Sequence, residues 1–144
     1  MEPKSFYIDT SVATKLYINE ADSSACVDIA RGATLVSSRL LFCEFRSALL
    51  GKESRGEISR EHRVEAWKQF VAHAAAGLVR FIPLDDVVIH DAADLLDELH
   101  PHVALRTLDA LHIATFLSID GGPLFTKDLR MLNAAAHLGL AVAS

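Results

Sequence analysis

Cysteine and long apolar segments are scarce in this chain of 144 residues. The two cysteines, Cys26 and Cys43, form no C-x-x-C pair, and each lies in a segment with a helical pattern. A small buried thiol is the usual role there, so neither a disulfide framework nor a zinc site is supported. No apolar run approaches the ~20 residues of a membrane-spanning helix, and the N-terminal residues lack a signal-peptide pattern. We therefore expect a cytoplasmic protein without a membrane segment.

Basic charge is scarce as well. The chain has 14 lysines and arginines against 19 aspartates and glutamates, which gives a net charge of −5. A protein that holds nucleic acid by charge alone carries a general basic excess, so any nucleic-acid chemistry here must depend on a local site. Apolar residues, in contrast, make up 51% of the chain. The length is close to the ~100 to 150 residues of a common domain, so we predict one domain over residues 1–144 with one well-buried core.

Five short apolar runs have the composition of strands that are covered on both faces. They are Phe6 to Asp9, Thr34 to Ser37, Leu78 to Ile82, Pro123 to Thr126, and Leu140 to Ala143. Helical patterns alternate with these runs. This alternation predicts an α/β fold, a three-layer sandwich with a short central parallel sheet of four to five strands. In such sheets, ligands bind beyond the carboxyl ends of the strands, where the strand order reverses.

The helical patterns are read from the spacing of apolar residues. Leu41, Phe45, Ala48 and Leu49 define one core face, and Val88, Ala92, Leu95, Leu96 and Leu99 define another. A helix after Ser59 would bury Val64, Trp67, Phe70, Val71 and Ala74, with a bend from Gly51 to Gly56 before it. Leu108 to Ile119 is apolar almost all round, which predicts a buried helix. The last helix is expected from about Asp128 to His137, with Gly139 as its stop.

Four acidic residues stand at unusual places in this pattern. Asp9 closes the first strand, Asp109 opens the buried helix, and Asp128 follows the fourth strand. Each of these three could simply cap a helix N-terminus or interact with its dipole. Glu44 is different, because it lies in the middle of an apolar helical pattern. Pairing with Arg39, or a surface position after a modest rotation of the helix, would explain it without a ligand.

Taken together, the acids predict a metal site. Asp9, Asp109 and Asp128 belong on the carboxyl edge of one sheet, and Glu44 can lean over the same crevice. Carboxylates within ~4 to 6 Å of one another repel unless a cation lies among them. Oxygen ligands without a cysteine or histidine set suit Mg²⁺ or Mn²⁺. Such sites commonly act on phosphate esters through a metal-bound water.

Four segments resemble one known family, in the same order along nearly the whole chain. They are FYIDTSVATKLY, LLFCEFRSALL, RTLDALHIAT and LFTKDLRMLNAAAHLGLAV. They are similar to the PIN-domain ribonucleases, in particular the VapC toxins of VapBC toxin–antitoxin pairs. The resemblance implies a PIN-like fold and a metal-dependent endoribonuclease that uses Mg²⁺ or Mn²⁺. It assigns Asp9, Glu44, Asp109 and Asp128 as the catalytic and metal-binding acids.

The resemblance also assigns supporting groups and partners. Ser11 and Thr126 match small polar residues near the first and last acid, where they would support the site or act as plain caps. Arg106 and Lys127 are candidates for contacting the phosphate charge, or are solvated surface charges. The implied partners are an RNA substrate, a cognate antitoxin that obstructs the acidic pocket, and a second copy of the chain in a homodimer. The aromatic residues Phe45, Trp67 and Phe70 could form an apolar groove for the antitoxin, or belong to the core.

Two other functions remain open at this point. One is a phosphoacceptor receiver module, in which Asp85, Asp86, Thr126 and Lys127 would form the site; it leaves Glu44 and Asp109 without a role. The other is a non-catalytic interaction domain with the same fold.

His112 follows Asp109 by one turn and could bond to it on the helix surface, as a supporting neighbour at most.

Overall fold

A parallel sheet lies at the centre of the computed structural model, which describes residues 4–144. Its strands are β1 (Ser5–Ile8), β2 (Thr34–Ser38), β3 (Val79–Ile82) and β4 (Leu124–Phe125). All neighbouring strands are parallel, in the order β3-β2-β1-β4. The first three residues of the predicted domain lie outside the described range.

Seven helices connect and cover the strands of the described chain. They are α1 (Thr10–Tyr17), α2 (Ser23–Ala30), α3 (Leu40–Ser54), α4 (Arg60–Ala75), α5 (Asp86–Leu99), α6 (Thr107–Leu117) and α7 (Leu129–Leu138). Helices α1 to α4 supply one core cluster, and α5 to α7 supply a second. Between residues 4 and 144, no helix is long and apolar enough to cross a membrane.

The two core clusters lie on opposite faces of the sheet because side chains alternate along a strand. Tyr7 and Val36, which are paired in the register of β1 and β2, point toward α5 to α7. Their neighbours Ile8 and Leu35 point toward α1 to α4. A strand that is covered on both faces needs consecutive apolar residues, which is the pattern found in the sequence. The predicted three-layer α/β sandwich is therefore confirmed.

The predicted fifth strand is wrong in extent. Val142 makes only an isolated parallel bridge to Leu124, with hydrogen bonds from Leu124 N to Ala141 O and from Ala143 N to Leu124 O. Its neighbour β4 has only two residues, so it cannot offer a longer ladder. The described sheet thus has four strands, at the lower end of the predicted range.

Some local predictions are also corrected. Cys43 is exposed, because it lies on the outer side of α3, away from Leu41 and Phe45. Gly51 belongs to α3, which continues to Ser54, so the bend before α4 is shorter than expected. On α4, Val64 and Val71 are exposed, while the core takes Ala66 and Phe70. Phe45 and Phe70 are buried in the core, and the partly buried Trp67 packs against both, which agrees with the core alternative for these aromatic residues.

The strand order places one crevice at the carboxyl edge of the sheet. From β1 the chain moves through β2 to β3 on one side, whereas β4 pairs with β1 on the other side. The order therefore reverses between β1 and β4, which is where ligands bind in open α/β sheets. Asp9 follows β1 directly, and Thr126 follows β4 directly.

The approach to β4 depends on a close backbone contact at Gly122. This residue has φ +85°, and a Cβ atom added there would lie 1.9 Å from the carbonyl oxygen of Ser5. We expect Gly122→Ala to lower the free energy of unfolding by about 3 kcal/mol or more, from left-handed strain plus the clash. Denaturant unfolding measures this loss.

Gly139 provides the matched control, because its φ is +69° but nothing lies within 4 Å of an added Cβ. Gly139→Ala should therefore lose only the conformational penalty of about 1 to 2 kcal/mol. An equal loss in the two variants would show that the approach of Gly122 to Ser5 is not tight.

Candidate active site

All four acids singled out in the sequence line one cavity of about 400 Å³ at the carboxyl edge of the sheet. Each comes from a different part of the fold. Asp9 precedes α1, Glu44 lies within α3, Asp109 is in the first turn of α6, and Asp128 precedes α7. Thr10, Ser11, Arg106, Thr107, Leu108 and His112 complete the wall. The strand order thus gathers residues that are up to 119 positions apart in sequence (128 − 9 = 119).

Asp9 is the most deeply placed of these acids, with 5% of its surface exposed. Its Oδ1 accepts a hydrogen bond from Ser11 Oγ at 2.6 Å and a longer one from Val12 N. Its Oδ2 accepts one from Thr126 Oγ1 at 2.6 Å. Burial raises the pKa of the Asp9 carboxyl above its ordinary value, and the two hydroxyls oppose that shift by donating to the charged form.

Ser11 and Thr126 also connect Asp9 to the segment after β4. Ser11 Oγ accepts a hydrogen bond from the backbone N–H of Lys127, and Thr126 Oγ1 accepts one from the backbone N–H of Asp128. The two hydroxyl oxygens are 3.4 Å apart. They therefore hold the Asp9 carboxylate and the loop that carries Asp128 in a fixed relation.

Asp109 and Asp128 combine helix capping with a place on the cavity wall. Asp109 Oδ2 accepts a hydrogen bond from the backbone N–H of Arg106. Asp128 Oδ1 accepts two, from the backbone N–H groups of Arg130 and Met131. Asp109 and Asp128 thus cap helix N-termini, as Asp9 does. Capping does not prevent these carboxylates from also binding an ion. A cap uses only part of the acceptor capacity of a carboxylate.

Arg106 lies between two of the acids. Its Nε is 3.5 Å from Asp109 Oδ2, and its Nη2 is 4.0 Å from Asp128 Oδ2, while 63% of the side chain is exposed. The positive charge lowers the repulsion between the two carboxylates. Lys127, the other candidate for phosphate contact, is exposed and does not line the cavity.

Glu44 is held by a histidine and not by Arg39. Its Oε1 is 2.5 Å from His112 Nε2, and the Glu44 side chain is 15% exposed. Arg39 instead packs over the rings of Phe42 and Phe81. Both alternative explanations of Glu44, pairing with Arg39 and a solvated surface position, are therefore wrong.

His112 has a larger part in the site than the sequence pattern indicates. It was expected on the helix surface beside Asp109, but it is 3% exposed and bonds to Tyr7 and Glu44. One signal was present, namely a polar ring in the middle of a helix that is apolar almost all round. Its partners lie 105 and 68 positions away, so helical spacing could not reveal them.

The donor set of the cavity suits a hard cation. Besides four carboxylates, it includes the hydroxyl of Thr10, which is shielded from solvent and has no hydrogen-bond partner within residues 4–144. Among the described residues that form the wall, none is a cysteine, and both nitrogens of His112 are engaged. Oxygen donors of this kind are typical of Mg²⁺ or Mn²⁺ sites, in which waters complete the coordination shell.

The carboxylates are not gathered at ligating distance as the side chains stand. In the described part of the chain, no three His, Cys, Asp or Glu side chains lie close enough together to hold an ion. Each acid is instead held by donors of the protein, and Arg106 separates Asp109 from Asp128. An ion can be held here only if some of these side chains move closer together.

The strand order excludes the receiver module. Asp85 and Asp86 follow β3, at one edge of the sheet, whereas Thr126 and Lys127 follow β4, at the other edge. Three strand spacings of ~4.8 Å, about 14 Å, separate the two edges. These residues therefore cannot form one phosphoacceptor site.

Comparison with known proteins agrees with the fold and the order of the motifs. The family model of the PIN domain matches residues 6–137. Ribonuclease VapC46 of Mycobacterium tuberculosis (strain ATCC 25618 / H37Rv) is 37% identical over 139 residues, which cover 94% of both chains.

Two solved structures with low sequence identity show the same fold. The Mycobacterium tuberculosis toxin VapC20, described as cleaving the Sarcin-Ricin loop, has a TM-score of 0.70 at 16% identity and covers 96% of this chain and 98% of its own. VapBC2 of Rickettsia felis, bound to a DNA fragment from its promoter, has a TM-score of 0.65 at 11% identity, with 96% of each chain covered. With its acids at the reversal of strand order and a homologue among the VapC ribonucleases, the chain belongs to the PIN domain family.

Proposed function

We propose that this protein is a metal-dependent endoribonuclease and the toxin of a toxin–antitoxin pair. The observation that carries the proposal is the meeting of Asp9, Glu44, Asp109 and Asp128, from four separate elements, on the wall of one cavity. A relative named as a ribonuclease, which aligns with 94% of the chain, supports the same activity. All four acidic positions are filled, so the chain retains the charge that such chemistry needs.

The acids have different roles in this proposal. Asp9, Asp109 and Asp128 hold one or two Mg²⁺ or Mn²⁺ ions, and Glu44 orients the attacking water or helps to hold an ion. When bound, the ion lowers the pKa of its water and neutralises charge on the phosphate. The hydroxyls of Ser11 and Thr126 keep Asp9 in one orientation, which preserves the geometry of the site.

Hydrolysis proceeds without a covalent enzyme intermediate. Ser11 is the hydroxyl next to the site, but its proton is directed to Asp9 Oδ1 and its oxygen accepts from Lys127 N. No histidine contacts Ser11 in the described chain, so it lacks a base that would make it a nucleophile. Arg106, which already faces two carboxylates, is placed to meet the negative charge of the phosphate oxygens. Lys127 remains a weaker candidate for the same contact.

The proposed partners are RNA, an antitoxin protein and a second copy of the chain. The antitoxin is supported by membership of this family and by the similar fold of a chain in the VapBC2 structure. The wall of the cavity is acidic. An antitoxin that blocks the cavity would therefore bind it best with a basic side chain. The homodimer rests on the family resemblance alone.

The activity is tested by Asp109→Asn, which keeps the shape and the capping acceptor but removes the charge. Cleavage of a transcript library by the purified protein with Mn²⁺ should fall by about 10²-fold or more, because the site loses a carboxylate that stabilises the ion. A chelator should abolish wild-type cleavage. Asp97→Asn, at an exposed position of α5, is the matched control and should cleave normally. Undiminished cleavage by the Asp109 variant would reject the proposal.

Melting temperatures of the same variants separate a nuclease from a non-catalytic PIN-fold interaction domain. An ion that binds only the folded protein raises its melting temperature with concentration. We therefore expect Mn²⁺ to stabilise the wild type and the Asp97 variant, and to stabilise the Asp109 variant less. A wild type that shows neither metal-dependent stabilisation nor cleavage favours the interaction domain.

The support of Asp9 is tested by Thr126→Val, which keeps the side-chain shape. It removes the donor to Asp9 Oδ2 and the acceptor for Asp128 N. We expect a loss of about 1 to 3 kcal/mol in the free energy of unfolding, because a buried carboxylate loses a donor, together with slower cleavage. In the control Thr14→Val, the buried hydroxyl donates only to the Thr10 carbonyl, so the loss should be smaller. Equal losses in both variants would show that the Thr126 hydroxyl has no special role.

The partner is tested through the product of any short gene that lies directly beside the gene of this protein. Co-expression of that product should give a stable complex, and the purified complex should cleave RNA more slowly than the protein alone. Light scattering on the protein alone measures whether it is a dimer. If the neighbouring product leaves the cleavage rate unchanged at saturating concentration, it is not the antitoxin.

A further inference from the structure

A buried chain of hydrogen bonds connects β2 to the wall of the acidic cavity. The backbone N–H of Ser38 donates to the Tyr7 hydroxyl oxygen at 3.1 Å. That oxygen is 2.8 Å from His112 Nδ1, and His112 Nε2 is 2.5 Å from Glu44 Oε1. Tyr7 has no exposed surface, and His112 is 3% exposed. The chain joins strands β2 and β1 to α6 on one face of the sheet and to α3 on the other.

The proton positions follow from the inventory of donors. Tyr7 Oη accepts from Ser38, so its single proton remains available for a neighbour, and His112 Nδ1 lies within reach. Nδ1 then acts as the acceptor, and Nε2 carries the ring proton. A contact of 2.5 Å between Nε2 and a carboxylate oxygen also needs a proton between the two atoms. Both contacts are satisfied when Nε2 carries the ring proton and Nδ1 accepts from the Tyr7 hydroxyl.

This arrangement holds one oxygen of Glu44 and leaves the other for the cavity. Oε1 is bound by His112, whereas Oε2 accepts no hydrogen bond from residues 4–144. A glutamate has three rotatable side-chain bonds, so without a partner its carboxylate would occupy several positions. The ring of His112 is itself fixed, because it packs in the core and Tyr7 bonds to its far side.

We propose that His112 is a positioning residue that fixes Glu44 through Nε2–H, with Tyr7 fixing the ring, so that Glu44 Oε2 faces the hydrated ion. This inference rests on the proposed function, in which Glu44 orients the attacking water or helps to hold an ion. A buried imidazole has two polar nitrogens, and the Tyr7 hydroxyl satisfies only Nδ1. The second ring nitrogen of His112, Nε2, bonds to Glu44, an acid of the cavity wall that lies 68 positions away.

Two amide variants separate this role from packing. His112→Gln places an N–H group near the position of Nε2 and can still donate to Glu44. His112→Asn is shorter and can reach Tyr7 but not Glu44. Loss of a hydrogen-bonded partner behind a metal ligand typically lowers metal affinity or activity by ~10- to 100-fold. We expect that loss in His112→Asn, for both the calorimetric Mn²⁺ affinity and the RNA cleavage rate, and partial recovery in His112→Gln.

A double-mutant cycle tests whether His112 acts through Glu44. In the background of Glu44→Gln, adding His112→Asn should change Mn²⁺ affinity and cleavage little further, because the group that it positions is already altered. His90→Asn, at an exposed position of α5, is the control and should match the wild type. If His112→Asn binds Mn²⁺ and cleaves as well as the wild type, or if its effect is the same in both backgrounds, the proposal is overturned.

Nitrogen NMR of the histidine ring gives a readout that does not depend on activity. The wild type should show His112 Nε2 carrying a proton and Nδ1 accepting a hydrogen bond, and Glu44→Gln should shift the Nε2 signal. A ring protonated on Nδ1 overturns the proposal even if a variant fails to fold. Failure of the proposed function has a different signature, since the wild type would then show the expected ring signals but neither bind Mn²⁺ nor cleave RNA.

Discussion

The arrangement of the cavity depends on the burial of one charged group, the carboxylate of Asp9. Removing a carboxylate from water is unfavourable unless donors replace the lost hydration, and here the donors are two hydroxyls and a backbone N–H. One hydroxyl belongs to α1 and the other follows β4, so satisfying Asp9 requires β1 and β4 to be adjacent. The same contacts place the loop of Asp128. A local requirement for hydrogen bonds therefore fixes the geometry at the reversal of strand order.

Helix capping and the collection of acids are compatible for the same reason. Asp9, Asp109 and Asp128 each satisfy backbone N–H groups at the start of a helix. The helices start at the carboxyl edge because each follows a strand or a loop at that edge, so their caps converge there. The dipoles of these helices favour negative charge at the same place. The fold thus tolerates three acids near one another, and Arg106 reduces the remaining repulsion.

The sequence was informative where a local pattern determines the structure. Consecutive apolar residues such as Tyr7 and Ile8 indicated a strand covered on both faces, and the acids after the strands could be placed at one edge. It was misleading where the outcome depends on distant partners. The exposure of Val64 and Cys43 depends on how α4 and α3 rotate against the core, and the short ladder at Val142 depends on β4. The contact of His112 with Glu44 joins helices from opposite layers, which no local spacing encodes.

The position of β1 between β2 and β4 has a consequence for biosynthesis. Asp9 leaves the ribosome well before its partner Thr126, which is made 117 positions later. Until then, the carboxylate lacks one of its three donors and the crevice lacks one wall. Contacts between such distant positions also form slowly, because a long loop must close first. The cavity of a nascent chain therefore stays incomplete until Thr126 has been translated.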